Sequence, residues 1–424
     1  MRSPPFAAIA WALSLAFIAA VELADHSAWL GNSAYLGQFG LRAAIPAVIC
    51  VPLVALLIWL QRQRPKFDLK LQYALFFAIS VTSALGLTKT LTGSHAGSGN
   101  PLLYGLSFYT ATLAYHYAKG NIGPQSALVA SNPLLLVTGP IATFFRNGRH
   151  RALRSRFAYY FPFLILGLFF YQMVATPLTQ TFFLLNDTDA ASSISFAIIF
   201  EMFVYANFCG LSLIVFAVMG IVGVKIPLNF RQPFSATNLV DFWKGWHTSL
   251  SAVLKALFYD PVRGRYGRIA AVFAVYLSSA MWHGVSMNFL IWGLFHAALF
   301  AISVELLKRR IPVVPVLLMI FGVVIGRLMF ADADFGRLLS KLTFHVDGMG
   351  DVPRLLATPR GTREALLLIV AMIGAEFLFQ KTRLFRQRRY KFYRLPWVQL
   401  VLLLIMALTI TRDAGIEFAV YGQR

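Results

Sequence analysis

A chain of 424 residues that is 58% hydrophobic, 15% aromatic and only 13% charged carries about half the charge of a soluble domain, for which about 25% is usual. Its net charge of +21 would point to nucleic acid in a soluble protein; here the basic residues fall in short loops between apolar runs, where they set orientation, so no nucleic-acid partner is expected. Cys50 and Cys209, the two cysteines, both lie inside apolar runs, which excludes a disulfide framework and a cysteine metal site.

A spanning helix needs about 20 apolar residues, and roughly eleven such segments can be drawn. They are Phe6–Leu23, Phe39–Leu60, Leu71–Leu91, Leu102–Ala118, Phe157–Pro177, Ser192–Val224, Ile269–His283, Met287–Leu307, Pro312–Phe330, Ala365–Phe379 and Pro396–Ile410. The expected fold is therefore all-α: a polytopic helical membrane protein with re-entrant or interfacial helices around a central tunnel. The first run follows Arg2 and resembles a signal peptide, but another span comes directly after it, so it is read as a retained helix. Ser192–Val224 is too long for one ordinary span and is expected to tilt or to break near Gly210. Pro133, Gly139 and Pro140 interrupt the stretch from Ile122 to Phe145, which predicts a short, broken, re-entrant element.

Basic loops at Arg62–Lys66, Arg146–Arg156, Lys308–Arg310 and Lys381–Arg394 alternate with neutral or acidic ones around Asp25, Asp187 and Asp332–Asp351. The positive-inside rule assigns the first set to the cytoplasm, together with the segment Lys225–Arg268. In that segment Trp243, Trp246, Leu250, Val253, Leu254 and Leu257 recur at helical spacing. An amphipathic interfacial or re-entrant helix over Asn238–Phe258 is expected.

Ionisable groups within apolar segments are costly and usually functional. Here they are Glu201, His116, His283, His296, Glu305, Arg327 and Glu376. Lys308 is near enough to hold Glu305 at the interface, Lys381 to do the same for Glu376, and Asp332 to pair with Arg327. Glu201, beside Tyr205 and Asn207, suits a structural hydrogen bond or a lining role equally. His116, near Lys119, reads as an interface residue. His283 sits in Met281-Trp-His-Gly284 with Ser278, Ser279, Ser286 and Asn288 close by, and a second Trp-His pair occurs at Trp246-His247. A lone core histidine is usually tied to a backbone carbonyl; the polar neighbours leave open a general base, a proton relay or a ligand. A metal needs several His or carboxylate ligands, and no His pair stands at i, i+4, so no metal is expected. The absence of an inverted repeat counts against a proton-coupled transporter.

The motifs Asn229-Phe-Arg-Gln-Pro-Phe234, Phe242-Trp-Lys-Gly-Trp-His247-Thr-Ser-Leu250, Tyr259-Asp-Pro-Val-Arg-Gly264, Met281-Trp-His-Gly284 and Trp292-Gly-Leu-Phe-His296 resemble, in order and spacing, the signature of the membrane-bound O-acyltransferase (MBOAT) family. The likeness is to its bacterial branch of alginate O-acetylases and D-alanyl transfer proteins. Gly105–Tyr109, Gly139-Pro140 and Glu417–Tyr421 are similar to further motifs of that branch. His116, Cys209–Ser212 and Arg263 depart from it, and residues 1–100 match only in being spans, which leaves 101–424 as the family-like core of a single membrane domain.

The resemblance implies a multi-pass protein of the bacterial cytoplasmic (inner) membrane that moves an acyl group from a thioester donor to a hydroxyl. The donor is expected to be acetyl-CoA or another acyl carrier used as co-substrate, with no bound cofactor, and the acceptor an exported or envelope polysaccharide. D-alanyl or longer-acyl transfer to teichoic acid or lipid is the alternative. A separate extracytoplasmic acetyltransferase partner is compatible with either; a catalytically silent recruiting role is a further reading, which the two Trp-His pairs speak against. By the same likeness His283 and His247 are the catalytic candidates. Trp282, Trp246, Trp243, Asn288, Ser279 and Asn229 are the candidate substrate-binding residues, with Trp282, Asn288 and His247 as oxyanion donors.

Overall fold

The computed structural model describes residues 55–63 and 106–409, except 148–150, 180–184, 186, 285, 312, 333, 347, 349, 357–359 and 387. The expected spans Phe6–Leu23 and Leu71–Leu91, most of Phe39–Leu60, the Asp25 loop and the motif at 417–421 lie outside the described residues. Those that are described form an all-α bundle, relieved by a two-residue antiparallel pair, β1 (Arg146–Asn147) with β2 (Val224–Lys225), in the register Arg146 to Lys225.

The helices that position the site are α1 (Leu106–Ala118), α2 (Pro124–Ala130), α3 (Pro133–Thr138), α4 (Leu153–Phe169) and α5 (Ala190–Val222), followed by α6 (Leu239–Gly245), α7 (Thr248–Leu254), α8 (Asp260–His283), α9 (Met287–Lys308), α10 (Val314–Ala331), α11 (Phe335–Leu342), α12 (Arg360–Leu378) and α13 (Pro396–Thr409). Among the described residues, Leu153–Leu178, Ala190–Val222, Met287–Lys308 and Val314–Ala331 are long and apolar enough to cross a bilayer. This is a multi-pass helical membrane protein. The stretch from Ile122 to Phe145 is the short broken element its prolines dictate, α2 and α3, with Asn132 capping α3 by accepting from the Leu134 and Leu135 amides.

Two features of helix continuity bear on the site. First, of the tilt and the break near Gly210 left open for the long run, the break is excluded: α5 runs unbroken for 33 residues, capped by the Asp189 carboxylate at its start and closed by Gly223 at φ 107°. Gly210 is a contact point instead: a Cβ there would lie 2.9 Å from the Gly167 carbonyl oxygen, and one on Gly167 would lie 2.7 Å from that of Gly210. The two helices touch backbone to backbone, as small residues allow within a membrane. Gly210→Val is expected to cost about 1–3 kcal/mol by overpacking, read as a lowered unfolding midpoint in detergent; an unchanged midpoint would contradict the close crossing.

Second, the amphipathic segment is not one helix. It breaks at Trp246-His247, where His247 takes φ 40° between α6 and α7, and then passes through a π-helical turn at Lys255–Tyr259. That turn precedes Pro261, whose missing amide cannot continue an α-helical ladder.

Charges in the apolar segments find partners the sequence did not indicate. Arg327 pairs with Glu201 on α5, not with Asp332; the side chains are 12% and 3% exposed. Asp332 instead accepts from Arg337 at 2.8 Å and Lys341 at 3.0 Å. Glu376 does not reach for Lys381; it is buried and accepts from the Tyr393 hydroxyl at 3.0 Å. His116 is buried rather than interfacial, with Nε2 2.9 Å from the Ala142 carbonyl oxygen. Glu305 pairs with Lys308 at 3.0 Å as expected.

Burial pushes the Asp332 pKa up, but the hydrogen bonds and charges of Arg337 and Lys341 outweigh it and hold the carboxyl below the usual carboxylate range. Its contribution to stability is therefore full above the unfolded carboxylate value, about 3.9, and is lost as pH falls through the lower folded value. Asp332→Asn keeps an acceptor but removes the charge opposite buried Lys341, so a loss of about 1–3 kcal/mol is expected. A chemical or thermal melt compared between pH 7 and pH 3 checks the sign: the gap between variant and parent should narrow in acid.

Candidate active site

Three segments converge on the two Trp-His pairs. The loop after β2 contributes Asn229, the α6–α7 break contributes Trp246 and His247, and the end of α8 contributes Trp282 and His283. The break turns His247 inward at the cost of a left-handed backbone that a non-glycine residue adopts only where its surroundings hold it. They do: the Thr248 amide donates to the Asn229 carbonyl at 2.8 Å, and the Thr248 hydroxyl to the Leu228 carbonyl at 2.6 Å.

His247 is buried, with Nδ1 3.1 Å from the Asn229 side-chain oxygen. That oxygen also accepts from the Ser249 hydroxyl at 2.7 Å, while the Asn229 amide donates to Ser212 at 3.2 Å. A carboxamide oxygen only accepts, so the proton sits on His247 Nδ1 and the lone pair on Nε2. Among the described residues Nε2 has no hydrogen-bond partner. Ser249 Oγ in turn accepts from the Ile141 amide at 3.1 Å, which ties the broken element to the same network.

Trp282 stands between the histidines, its ring 5.8 Å from that of His247 and 4.8 Å from that of His283. His283 is half-buried and edge-on to Phe330 at 4.7 Å and Trp292 at 6.0 Å. Its neighbour Gly284 has a steric reason: a Cβ there would lie 2.6 Å from the Phe289 ring, which stacks on His283 at 6.1 Å.

The other candidates fall around this core. Ser279 is buried one turn before His283. Asn288 is buried too, but its amide donates to the Met329 carbonyl at 3.3 Å, so it is committed to α10. Trp246 packs among Phe230, Phe234 and Phe242, with the Arg327 guanidinium 5.7 Å from its ring. Trp243 lies edge-on to His296 at 5.1 Å and to Trp292 at 6.0 Å. His296 is buried over Gly326, where a Cβ would run into its Nε2.

Sequence reasoning missed Phe330 and the role of Arg327, whose guanidinium sits 5.1 Å from the Phe330 ring. The available signal was a lone acid and a lone base in two separate apolar runs, since opposite charges in a bilayer seek each other.

The architecture and the inward-turned histidine pair define a multi-pass membrane protein with a buried imidazole site. Its residues 113–311 match the MBOAT, membrane-bound O-acyltransferase family, and the chain carries an MBOAT domain. It is 33% identical over 118 residues to the peptidoglycan O-acetyltransferase of Helicobacter pylori, covering 26% of this chain and 22% of that one. The teichoic acid D-alanyltransferase of Bacillus subtilis is 26% identical over 147 residues, 31% of this chain and 37% of the relative. The probable alginate O-acetylase AlgI of Pseudomonas aeruginosa is 27% identical over 303 residues, 64% and 58%. The matched stretches thus span less than two thirds of each relative's length.

Proposed function

We propose that the protein is an O-acyltransferase of the bacterial inner membrane that moves an acetyl group from an acyl-thioester such as acetyl-CoA to a hydroxyl of an envelope or exported polysaccharide. The observation that carries this reading is the pair of histidines on either side of Trp282 within an MBOAT domain. On this reading residues 101–424 form the catalytic core of a single membrane domain.

His283, half-buried, is the group an acceptor can reach. It takes the proton of the acceptor hydroxyl as the oxygen attacks the thioester carbonyl carbon. The tetrahedral adduct then collapses, the carbon–sulfur bond breaks, and the imidazolium returns its proton to the leaving thiolate. His247, its Nε2 unshared, assists on the donor side; Trp282 and the Ser279 turn border the reacting atoms. The apolar part of α8 that ends in His283, Ile269–His283, rises about 22 Å, short of the ~30 Å hydrocarbon thickness. The histidine therefore sits within the membrane, between a donor entering from the cytoplasmic side along α6 and α7 and an acceptor on the outer side.

The test is transfer of label from acetyl-CoA to envelope material in membranes holding the protein, followed by mild alkali. Released acetate bears out the proposal. Released D-alanine in cells supplied with a D-alanyl carrier would replace it by the reading that the Bacillus subtilis relative supports. No esterified material in either case removes both.

A further inference from the structure

The basic loop between α12 and α13 has no part in the chemistry above, yet one of its side chains reaches the segment that shapes the site. Among the described residues Arg388 donates only to main-chain carbonyls: Nη1 to Asp241 at 2.9 Å, Nε and Nη2 to Gln232 at 3.3 and 3.2 Å, and Nη2 to Pro233 at 3.5 Å. Asp241 lies on α6, which ends two residues before His247; Gln232 lies three residues after Asn229. One guanidinium thus bridges the two strands of chain that deliver both partners of the Asn229–His247 hydrogen bond.

Two further hydrogen bonds close the clamp. The Arg231 amide donates to the Gly245 carbonyl at 2.8 Å, and the Tyr390 amide to the Gln232 side-chain oxygen at 2.9 Å. A Cβ on Gly245 would lie 2.5 Å from Arg388 Nη2 and 2.9 Å from the Arg231 carbonyl oxygen, so only glycine admits the guanidinium here. Of the seven non-glycine residues with positive φ among the described residues, Gln232, His247, Arg388 and Tyr390 gather in this region. Such backbone persists where its surroundings over-determine it, and a planar fork of five donors is the side chain suited to gather several carbonyls.

We infer that Arg388 is a positioning residue that holds His247 in register with Asn229, fixing the imidazole's tautomer and place from the far side of α6. This rests on the acyltransferase reading for its kinetic consequence, though not for its structural one. Arg388→Ala is expected to lower kcat for transfer about 10–100-fold, the scale on which a small misplacement of a catalytic group acts, with KM for acetyl-CoA unchanged. Low-millimolar guanidinium chloride should restore most of it by refilling the vacated place. Arg388→Lys keeps the charge but not the fork and should stay low, and His283→Ala should gain nothing from guanidinium.

A second readout needs no turnover. Modification of His247 by diethyl pyrocarbonate, followed by peptide mass spectrometry, should be slow in the parent, fast in Arg388→Ala, and slow again with guanidinium present. Parental kcat in Arg388→Ala, or a loss that guanidinium leaves untouched in both readouts, overturns the inference. If the parent itself transfers nothing, the acyltransferase reading fails, and His247 modification alone decides the role of Arg388.

Discussion

Replacing His283 by alanine is expected to reduce acyl transfer by about 10²–10⁴-fold, the contribution of a positioned general base. The substitution is benign to the fold. His283 is the last residue of α8 and half-buried, so its loss leaves a partly exposed gap at a helix end rather than a closed void in a core. KM for the donor should change little, because the imidazole acts on a proton in flight rather than on the bound thioester. His247→Ala should lower transfer as well but also loosen packing, since that ring lies 4.8 Å from Phe208 and its Nδ1 anchors Asn229. Comparing both variants at equal membrane insertion separates the roles. Full transfer by His283→Ala would falsify the proposed chemistry, while full transfer by His247→Ala would confine the reaction to His283.

Composition and apolar run length made the membrane class legible, because a bilayer imposes helix length and charge placement on the sequence directly. Short breaks were legible where proline or glycine caused them, as in α2 and α3. The break at Trp246-His247 was not. Nothing local forces it; the helical spacing of Trp243, Trp246, Leu250 and Val253 continues across it, and the turn is held by Asn229 and Leu228, some twenty residues away. Gly210 left a tilted helix and a broken one equally open. A glycine in a long helix reads as weakness, yet here its missing side chain lets Gly167 approach.

The same contrast governs the site. His283 and His247 stood out because polar residues next to tryptophan in an apolar run are rare in themselves. Arg388 did not, for it is one of many basic residues between Lys381 and Arg394, a stretch the charge rule fully explains. Its reach back to Gln232 and Asp241 is a fact of topology. Arg327 was assigned to the nearest acid in sequence, Asp332, whereas the bundle places it against Glu201, 126 residues away.

That pair carries the largest expected effect on stability. Glu201 and Arg327 are both nearly enclosed, and the guanidinium also lies over the rings of Phe200, Trp246 and Phe330. Removing one member strands the other as a buried charge, and such a loss costs about 3–5 kcal/mol. Glu201→Met and Arg327→Met should each produce that drop in a detergent unfolding measurement. Replacing both by methionine should recover most of it, because the desolvation of two ions disappears together with their attraction. Additive losses in the double variant would mean that the two side chains stabilise the bundle through separate contacts. Transfer activity then distinguishes packing from chemistry. Phe330 touches both Arg327 and His283, so a stable double variant that has lost transfer would show that the positive charge beside the site matters to the reaction. A stable and active one would leave the pair as a fastener between α5 and α10.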